Sequence, residues 1–239
     1  MPVAPKAVAG PTHFLAWSFS RLNDYRKCPK QAFYKHIKKI AEKTTSPALI
    51  RGSAIHEMCQ TFAQKTAKTK CPAELATFEE EFRVLQKHRA TLACEQQVAF
   101  DKNWNKVDWF DKAAWCRQII DAWYMHSVES PDGTRLVVID YKTGKLNDDH
   151  LEQLSLYALS GLLLFPDVDE VEVQLWYLDQ GVQRPDVPKV YTRKDIPALK
   201  KLWEKNVSLL LKDRTFKEKP GKACTWCPFS KGKGGPCKF

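Results

Sequence analysis

The stretch Leu136-Val137-Val138-Ile139-Asp140-Tyr141-Lys142-Thr143-Gly144-Lys145 begins apolar and ends in charge. Its four leading apolar residues predict a buried strand. A buried strand that ends in charge needs a partner, because an unpaired charge there is expensive. Side chains alternate faces along a strand, so Asp140 and Lys142 point one way and Tyr141 the other. A carboxylate and an ammonium on one face can form an ion pair. They can also bind a divalent metal and steer an attacking water.

Upstream, Arg117-Gln118-Ile119-Ile120-Asp121-Ala122-Trp123 carries a second acid behind two isoleucines. Ser130-Pro131-Asp132-Gly133 is a strong turn signal between the segments 117–126 and 135–143, which predicts an antiparallel hairpin. Folding it sets Asp121 opposite Asp140 to within a residue or two. Two carboxylates converging in a partly buried place repel unless a cation lies between them. Mg²⁺ takes one or two carboxylates plus waters and phosphate oxygens. That predicts a metal site for phosphodiester hydrolysis, where the ion polarises the phosphate and acidifies a water. Lys142 would orient the water or offset charge in the transition state. Asn147-Asp148-Asp149 caps a helix to about Leu164. On it Gln153 and Tyr157, four apart, share a face toward the metal. Taken alone, Asp140 and Lys142 could equally be a surface ion pair; Asp121 and the Gln153/Tyr157 helix weigh against that.

The 239 residues suggest one elaborated domain or two small ones. Lys+Arg 38 against Asp+Glu 28 leaves +10, which favours a polyanionic partner, nucleic acid or anionic membrane. Membrane is the weaker option, because no run of about 18 apolar residues exists. The opening MPVAPKAVAGPTH has no apolar signal-peptide core and reads as a flexible lead over 1–13, so the expected location is the cytoplasm (a host's cytoplasm if phage-encoded). Helices are expected from Ser18 or Ser20 to about Ile40, from about Gly52-Ser53, over about 73–89 and over about 195–211. Further strands are expected over 94–100, 171–178 and 189–192. This order predicts a mixed α/β domain with a central sheet.

DYKTG at 140–144 followed by QLSLYA at 153–158 resembles the PD-(D/E)XK nuclease superfamily, in particular its RecB/AddB-like branch. The resemblance implies a restriction-endonuclease-like α/β core, with a central mixed sheet flanked by helices and the N- and C-terminal segments joined by a metal cluster. It implies one nuclease domain over 14–239, in which 14–40 and 215–239 form the staple. It also implies Mg²⁺ or Mn²⁺ as cofactor. The first acid of the family lies in a pattern like G-x-x-D; here Gln118 stands where a glycine is usual before Asp121. Gly52-Ser53-Ala54-Ile55-His56 matches the family's G-x-x-x-H, so His56 would be a metal ligand or lie just behind one. Glu95 fits an acid at the start of the preceding strand, and the Tyr141 main-chain carbonyl completes the implied metal set.

Eight cysteines in a cytosolic chain argue against disulfides. Cys59, Cys71, Cys94 and Cys116 sit among apolar residues and read as packing thiols. Cys224-Thr225-Trp226-Cys227 is a C-x-x-C in a Gly/Pro/Lys-rich tail, with Cys237 near the end. Thiolates so spaced clamp a metal or cluster iron. Cys28, before Pro29, is the natural fourth ligand. The resemblance implies that Cys28, Cys224, Cys227 and Cys237 hold a 4Fe–4S cluster. Zinc at the same ligands, or a redox C-x-x-C, is the alternative. The interval 228–236 is longer than usual for the family, and its three glycines could let it loop out.

Lysines crowd the first and last helices, and Trp226 or Phe229 could stack on an unpaired base. The expected partner is DNA, as single strands or duplex ends, in recombination, repair or phage DNA processing; RNA stays open. A helicase, a recombinase or self-association into a ring are further partners, and no G-x-x-x-x-G-K-[ST] helicase motif is present. Two rival readings are a catalytically silent DNA-binding subunit and a zinc-binding nucleic-acid adaptor. The first is opposed by the intact Asp121, Asp140 and Lys142; the second leaves them unexplained.

Overall fold

The computed structural model describes residues 12–42, 46–127, 134–147 and 149–239. The chain divides into two compact units, one of Met1–Thr44 with Asn206–Phe239, the other Thr45–Lys205. Of the expected lead over 1–13, residues 1–11 lie outside the described residues, as does the turn at 130–133.

In the unit of segments Met1–Thr44 and Asn206–Phe239, α1 (Phe19–Lys27) starts on Ser18, whose side chain accepts from the Arg21 N–H. One helix to Ile40 was expected, but it breaks at Cys28, which is extended (φ −159°, ψ 114°). Pro29 causes the break, because proline disfavours the helical region for the residue before it. α2 (Pro29–Ala32) restarts with that proline in its first turn, and a π-helical turn follows over Phe33–Ile37.

The unit Thr45–Lys205 holds α3 (Pro47–Ala63), α4 (Glu79–Lys87), α5 (Asp149–Leu164) and strands β1 (Ala93–Phe100), β2 (Lys106–Val107), β3 (Cys116–Ser127), β4 (Thr134–Lys142), β5 (Glu170–Tyr177) and β6 (Val182–Thr192). α6 (Ile196–Lys212) runs from this unit into the other. α3 starts earlier than the expected Gly52, because Ser46 caps it and Pro47 sits in its first turn. The third expected helix splits into a 3₁₀ segment, Ala73–Phe78, and α4. The cap assigned to Asn147-Asp148-Asp149 includes Asp148, which lies outside the described residues.

The sheet order is β2-β1-β3-β4-β5-β6. Only β4 and β5 pair parallel, so the sheet is mixed. α5 makes the crossover that a parallel pair requires. β6 is longer than expected because Pro185 and Pro188 interrupt its pattern, yet an edge strand tolerates proline. One face of the sheet buries Val137, Ile139 and Tyr141 with Ile55, Cys59, Phe62, Phe82 and Leu85 of α3 and α4. On the other, Gly161 lets α5 approach closely: a Cβ there would stand 2.7 Å from Leu136 Cδ2. No described helix is long and apolar enough to cross a membrane.

Candidate active site

The β3–β4 ladder runs from Ser127↔Thr134 to Ala122↔Ile139, and the next residues beyond its last pair are Asp121 and Asp140. There the Tyr141 N–H is taken by a side chain, donating to Asp121 Oδ2 at 2.7 Å. The Tyr141 ring is buried among Phe82, Trp176 and His56, which fixes the main chain at the strand end.

Asp140 is buried. Its Oδ1 accepts from the Tyr157 hydroxyl at 3.0 Å, and its Oδ2 lies against the Lys142 ammonium. Lys142 Nζ also donates to Gln153 Oε1 at 3.3 Å, and Gln153 Nε2 donates to Tyr157 Oη. Asp140, Lys142, Gln153 and Tyr157 therefore form one closed hydrogen-bonded ring, with α5 supplying half of it. Burial pushes the Asp140 carboxyl up, and the Lys142 charge only partly offsets this. Burial opposes the Lys142 charge, but Asp140 and then Asp121 more than restore it, so Lys142 stays an ammonium.

A second group stands on the other side of Asp121. His56 Nδ1 is 3.5 Å from Asp121 Oδ1 and 3.8 Å from Glu95 Oε1. Ligand atoms of His56, Glu95 and Asp121 all lie within 4.8 Å of one another. Asp140 is outside this set. Burial disfavours a proton on His56, yet the bond to Asp121 and the charges of Asp121 and Asp140 overcome that and raise it. Burial, then Asp121, pushes the Glu95 carboxyl up. A place whose field holds a proton against desolvation also favours a cation.

Glu95 has φ +50°, in the left-handed region, although it is a strand residue. The ladder pairs on either side, Cys94↔Ala122 and Gln96↔Ile120, keep their register. Glu95 is therefore held in a strained backbone opposite Asp121, at a cost of about 1–3 kcal/mol. Behind the site, Asp179 accepts from Arg51 Nη1 and Nη2 at 2.8 and 2.6 Å and from the Gly144 N–H at 2.6 Å. This clamp fixes the helix that carries His56 to the loop leaving β4, where Gly144 has φ +85°. The sequence reading missed both the clamp and the strain. Three ordinary residues, far apart in the chain, carry no local signal of either. Gln118, where a glycine was expected, is buried and donates to Ser160 Oγ on α5 at 2.6 Å.

All four cysteines expected at a cluster line one cavity in the unit of Met1–Thr44 and Asn206–Phe239, with Tyr34, Pro220 and Phe229 among its walls. Cys28, Cys224, Cys227 and Cys237 are all free. Burial raises the Cys227 thiol, the Phe229 N–H opposes this, and Cys28, Cys237 and Cys224 add to the rise. The interval 228–236 does not loop out. Gly234 turns at φ +68°, the Gly235 N–H donates to Ser230 O, and the Cys237 N–H donates to Phe229 O at 2.9 Å. A Cβ on Gly235 would lie 2.3 Å from the Phe229 carbonyl carbon, so only glycine fits this fold-back. Phe229 is buried, which removes it as a base-stacking residue; Trp226 is 78% exposed.

The family model described as the PD-(D/E)XK nuclease superfamily matches residues 16–124 and 126–231. The chain belongs to the PD-(D/E)XK nuclease superfamily. Its fold is similar to that of a protein from Eubacterium rectale named "Putative exonuclease", at 13% identity and a TM-score of 0.51, covering 89% of this chain and 87% of that one. The structure of SSO0001 matches at 15% identity and a TM-score of 0.43, covering 98% of this chain and 91% of that one. No curated protein matches the chain. The superfamily uses divalent metals, and the His56/Glu95/Asp121 group is a place that could bind one.

Proposed function

We propose that this member of the superfamily hydrolyses DNA phosphodiester bonds with Mg²⁺ or Mn²⁺, working as an exonuclease on single strands or duplex ends. The observation that carries the reading is the convergence at the β3–β4 splay, where His56, Glu95 and Asp121 meet beside the ring of Asp140, Lys142, Gln153 and Tyr157. Asp121, Glu95 and His56 would hold the cation, with Asp140 and the Tyr141 carbonyl completing its shell. Bound there, the ion supplies Lewis acidity toward the phosphate and lowers the pKa of a water. Lys142 stays charged and offsets negative charge developing on the phosphate. Tyr157 and Gln153 hold Asp140 and Lys142 in place, so neither needs to reorganise during the reaction. The name of the Eubacterium rectale protein supports an exonuclease reading, and the +10 charge suits a DNA partner in the cytoplasm.

Cys28, Cys224, Cys227 and Cys237 would hold a 4Fe–4S cluster, with zinc at the same ligands as the alternative. All four line one cavity. Purified protein is expected to carry roughly four irons per chain, lost in Cys28→Ala; stoichiometric zinc without iron contradicts the cluster.

The test of the function is incubation of labelled single- and double-stranded DNA with the protein and Mg²⁺ or Mn²⁺. Cleavage that needs the metal and disappears in Asp140→Ala and Lys142→Ala is expected. Undiminished cleavage by both variants contradicts the assignment.

A further inference from the structure

The segment between β1 and β3 over 101–115, which includes β2, contains Trp104, Trp109, Phe110 and Trp115. Three of these have packing roles. Trp104 is buried, stands edge-on to Trp115 at 5.3 Å, and donates through Nε1 to Glu204 Oε1 at 3.0 Å. Trp109 lies beneath the Arg117 guanidinium at 5.9 Å, and its carbonyl accepts from Arg117 Nε at 2.8 Å. Phe110 is 88% exposed.

This exposure is built in. The Asp111 N–H donates to Asp108 O at 3.0 Å, so Trp109 and Phe110 are the central residues of a β-turn, positions that polar residues and glycine ordinarily fill. The base of the loop is rigid. Asp101 Oδ1 accepts from the Asn103 and Asn105 N–H groups at 2.8 Å each, and Asp101 Oδ2 accepts from Asn105 Nδ2 at 3.0 Å. One exposed apolar side chain on a surface is ordinary. Here the exposed ring sits on a turn that Arg117 ties to β3, the strand that carries Asp121. Along β3, Arg117 and the 44% exposed Ile119 alternate with the buried Cys116, Gln118 and Ile120, and the buried Asp121 follows. Arg117 thus stands four residues along β3 from Asp121. At about 3.4 Å per residue the distance from Arg117 to Asp121 is about 14 Å, about four stacked nucleotides. Lys102, Lys106 and Lys112 are exposed on the same loop.

We propose that this loop is a guide for an unpaired DNA strand, with Phe110 stacking on a base a few nucleotides from the scissile bond and Arg117 holding the intervening phosphates over Ile119. The occupant is single-stranded rather than duplex DNA, because Phe110 offers a ring face that only an unstacked base can meet, whereas duplex bases are already stacked on each other. The proposal rests on the nuclease reading for its direction toward Asp121, but its contact with DNA can be measured without cleavage.

The test is fluorescence anisotropy with the full chain in EDTA, using a labelled oligonucleotide of about 12 nucleotides as a single strand and as a blunt duplex. Phe110→Ala is expected to weaken single-strand binding at least about fivefold and to change duplex binding less than about twofold, with Phe110→Trp restoring the loss. Phe110 packs in no core, so Phe110→Ala tests contact rather than folding. Unchanged single-strand affinity in Phe110→Ala, equal losses on both DNAs, no single-strand binding by the wild type, or failure of Phe110→Trp to restore it each overturn the proposal. The two readings fail separately. A wild type that cleaves no DNA but shows the Phe110 effect loses the nuclease reading alone. A wild type that cleaves and shows no Phe110 effect loses the guide alone.

Discussion

Lys142 is the residue whose chemistry the surroundings define most tightly. It lies against Asp140, donates to Gln153 and is held charged by the two acids. Lys142→Met keeps most of its length without the charge and is expected to lower cleavage by about 10²-fold or more while leaving the fold intact, read as rate at saturating DNA. Glu95 makes a different prediction. Its left-handed backbone and its repulsion from Asp121 both work against the fold. Glu95→Gly is expected to raise the melting temperature and to weaken Mn²⁺ binding. A variant that melts lower would show that Glu95 stabilises the strand instead. That Asp121, Asp140, Lys142, Gln153 and Tyr157 gather was legible from strand and helix spacing, and His56 entered through the resemblance to the G-x-x-x-H pattern; the role of each is a proposal. The strain at Glu95 was not legible, since a backbone angle imposed by neighbouring strands leaves no trace in residue type.

At the scale of elements, α5 supplies Gln153 and Tyr157 and packs on the sheet. Its packing on β4 and β5 depends on Gly161, where a Cβ would meet Leu136 at 2.7 Å and Val171 at 3.1 Å. Gly161→Ala is expected to destabilise the protein by about 1–3 kcal/mol in denaturant unfolding. Because α5 carries Tyr157 and Gln153, it should also cut cleavage at temperatures where the protein is still folded. The antiparallel β3–β4 pair, α5 and a central sheet could be read from apolar runs and their charged ends, and the mixed sheet was implied by the family resemblance. Helix boundaries at prolines were harder. Cys28-Pro29 held the signal for a break that the surrounding helical periodicity masked, and Pro185 and Pro188 hid most of β6, which only its edge position explains.

For the whole molecule, the sequence shows little of how the chain ends meet. Asp213 accepts from the Thr215 and Phe216 N–H groups and from the Tyr25 hydroxyl at 2.8 Å, joining N-terminal and C-terminal segments within one unit. Partial burial would raise its carboxyl, but these donors outweigh it and hold the pKa at about 2 against an ordinary 3.8. The stabilisation is therefore complete above about pH 4 and is lost as pH falls toward 2. Wild type should be more acid-resistant than Asp213→Asn at pH 5, and the two should converge near pH 2 in circular dichroism melts. A constant difference across that range would assign the contact no role in acid stability. The net charge of +10 predicts DNA affinity that falls steeply with salt, measured as the slope of log Kd against log salt; a flat slope removes the basic surface as a DNA contact. The central claim is that the splay of β3 and β4 builds a cation site whose chemistry Lys142 completes. The most direct measurement is a calorimetric Mn²⁺ titration of wild type, Asp121→Asn and Lys142→Met, each assayed in parallel for DNA cleavage. Saturable binding is expected in wild type and Lys142→Met, no such binding in Asp121→Asn, and cleavage by wild type alone. An Asp121→Asn protein that binds Mn²⁺ and cleaves DNA like the wild type would contradict that claim.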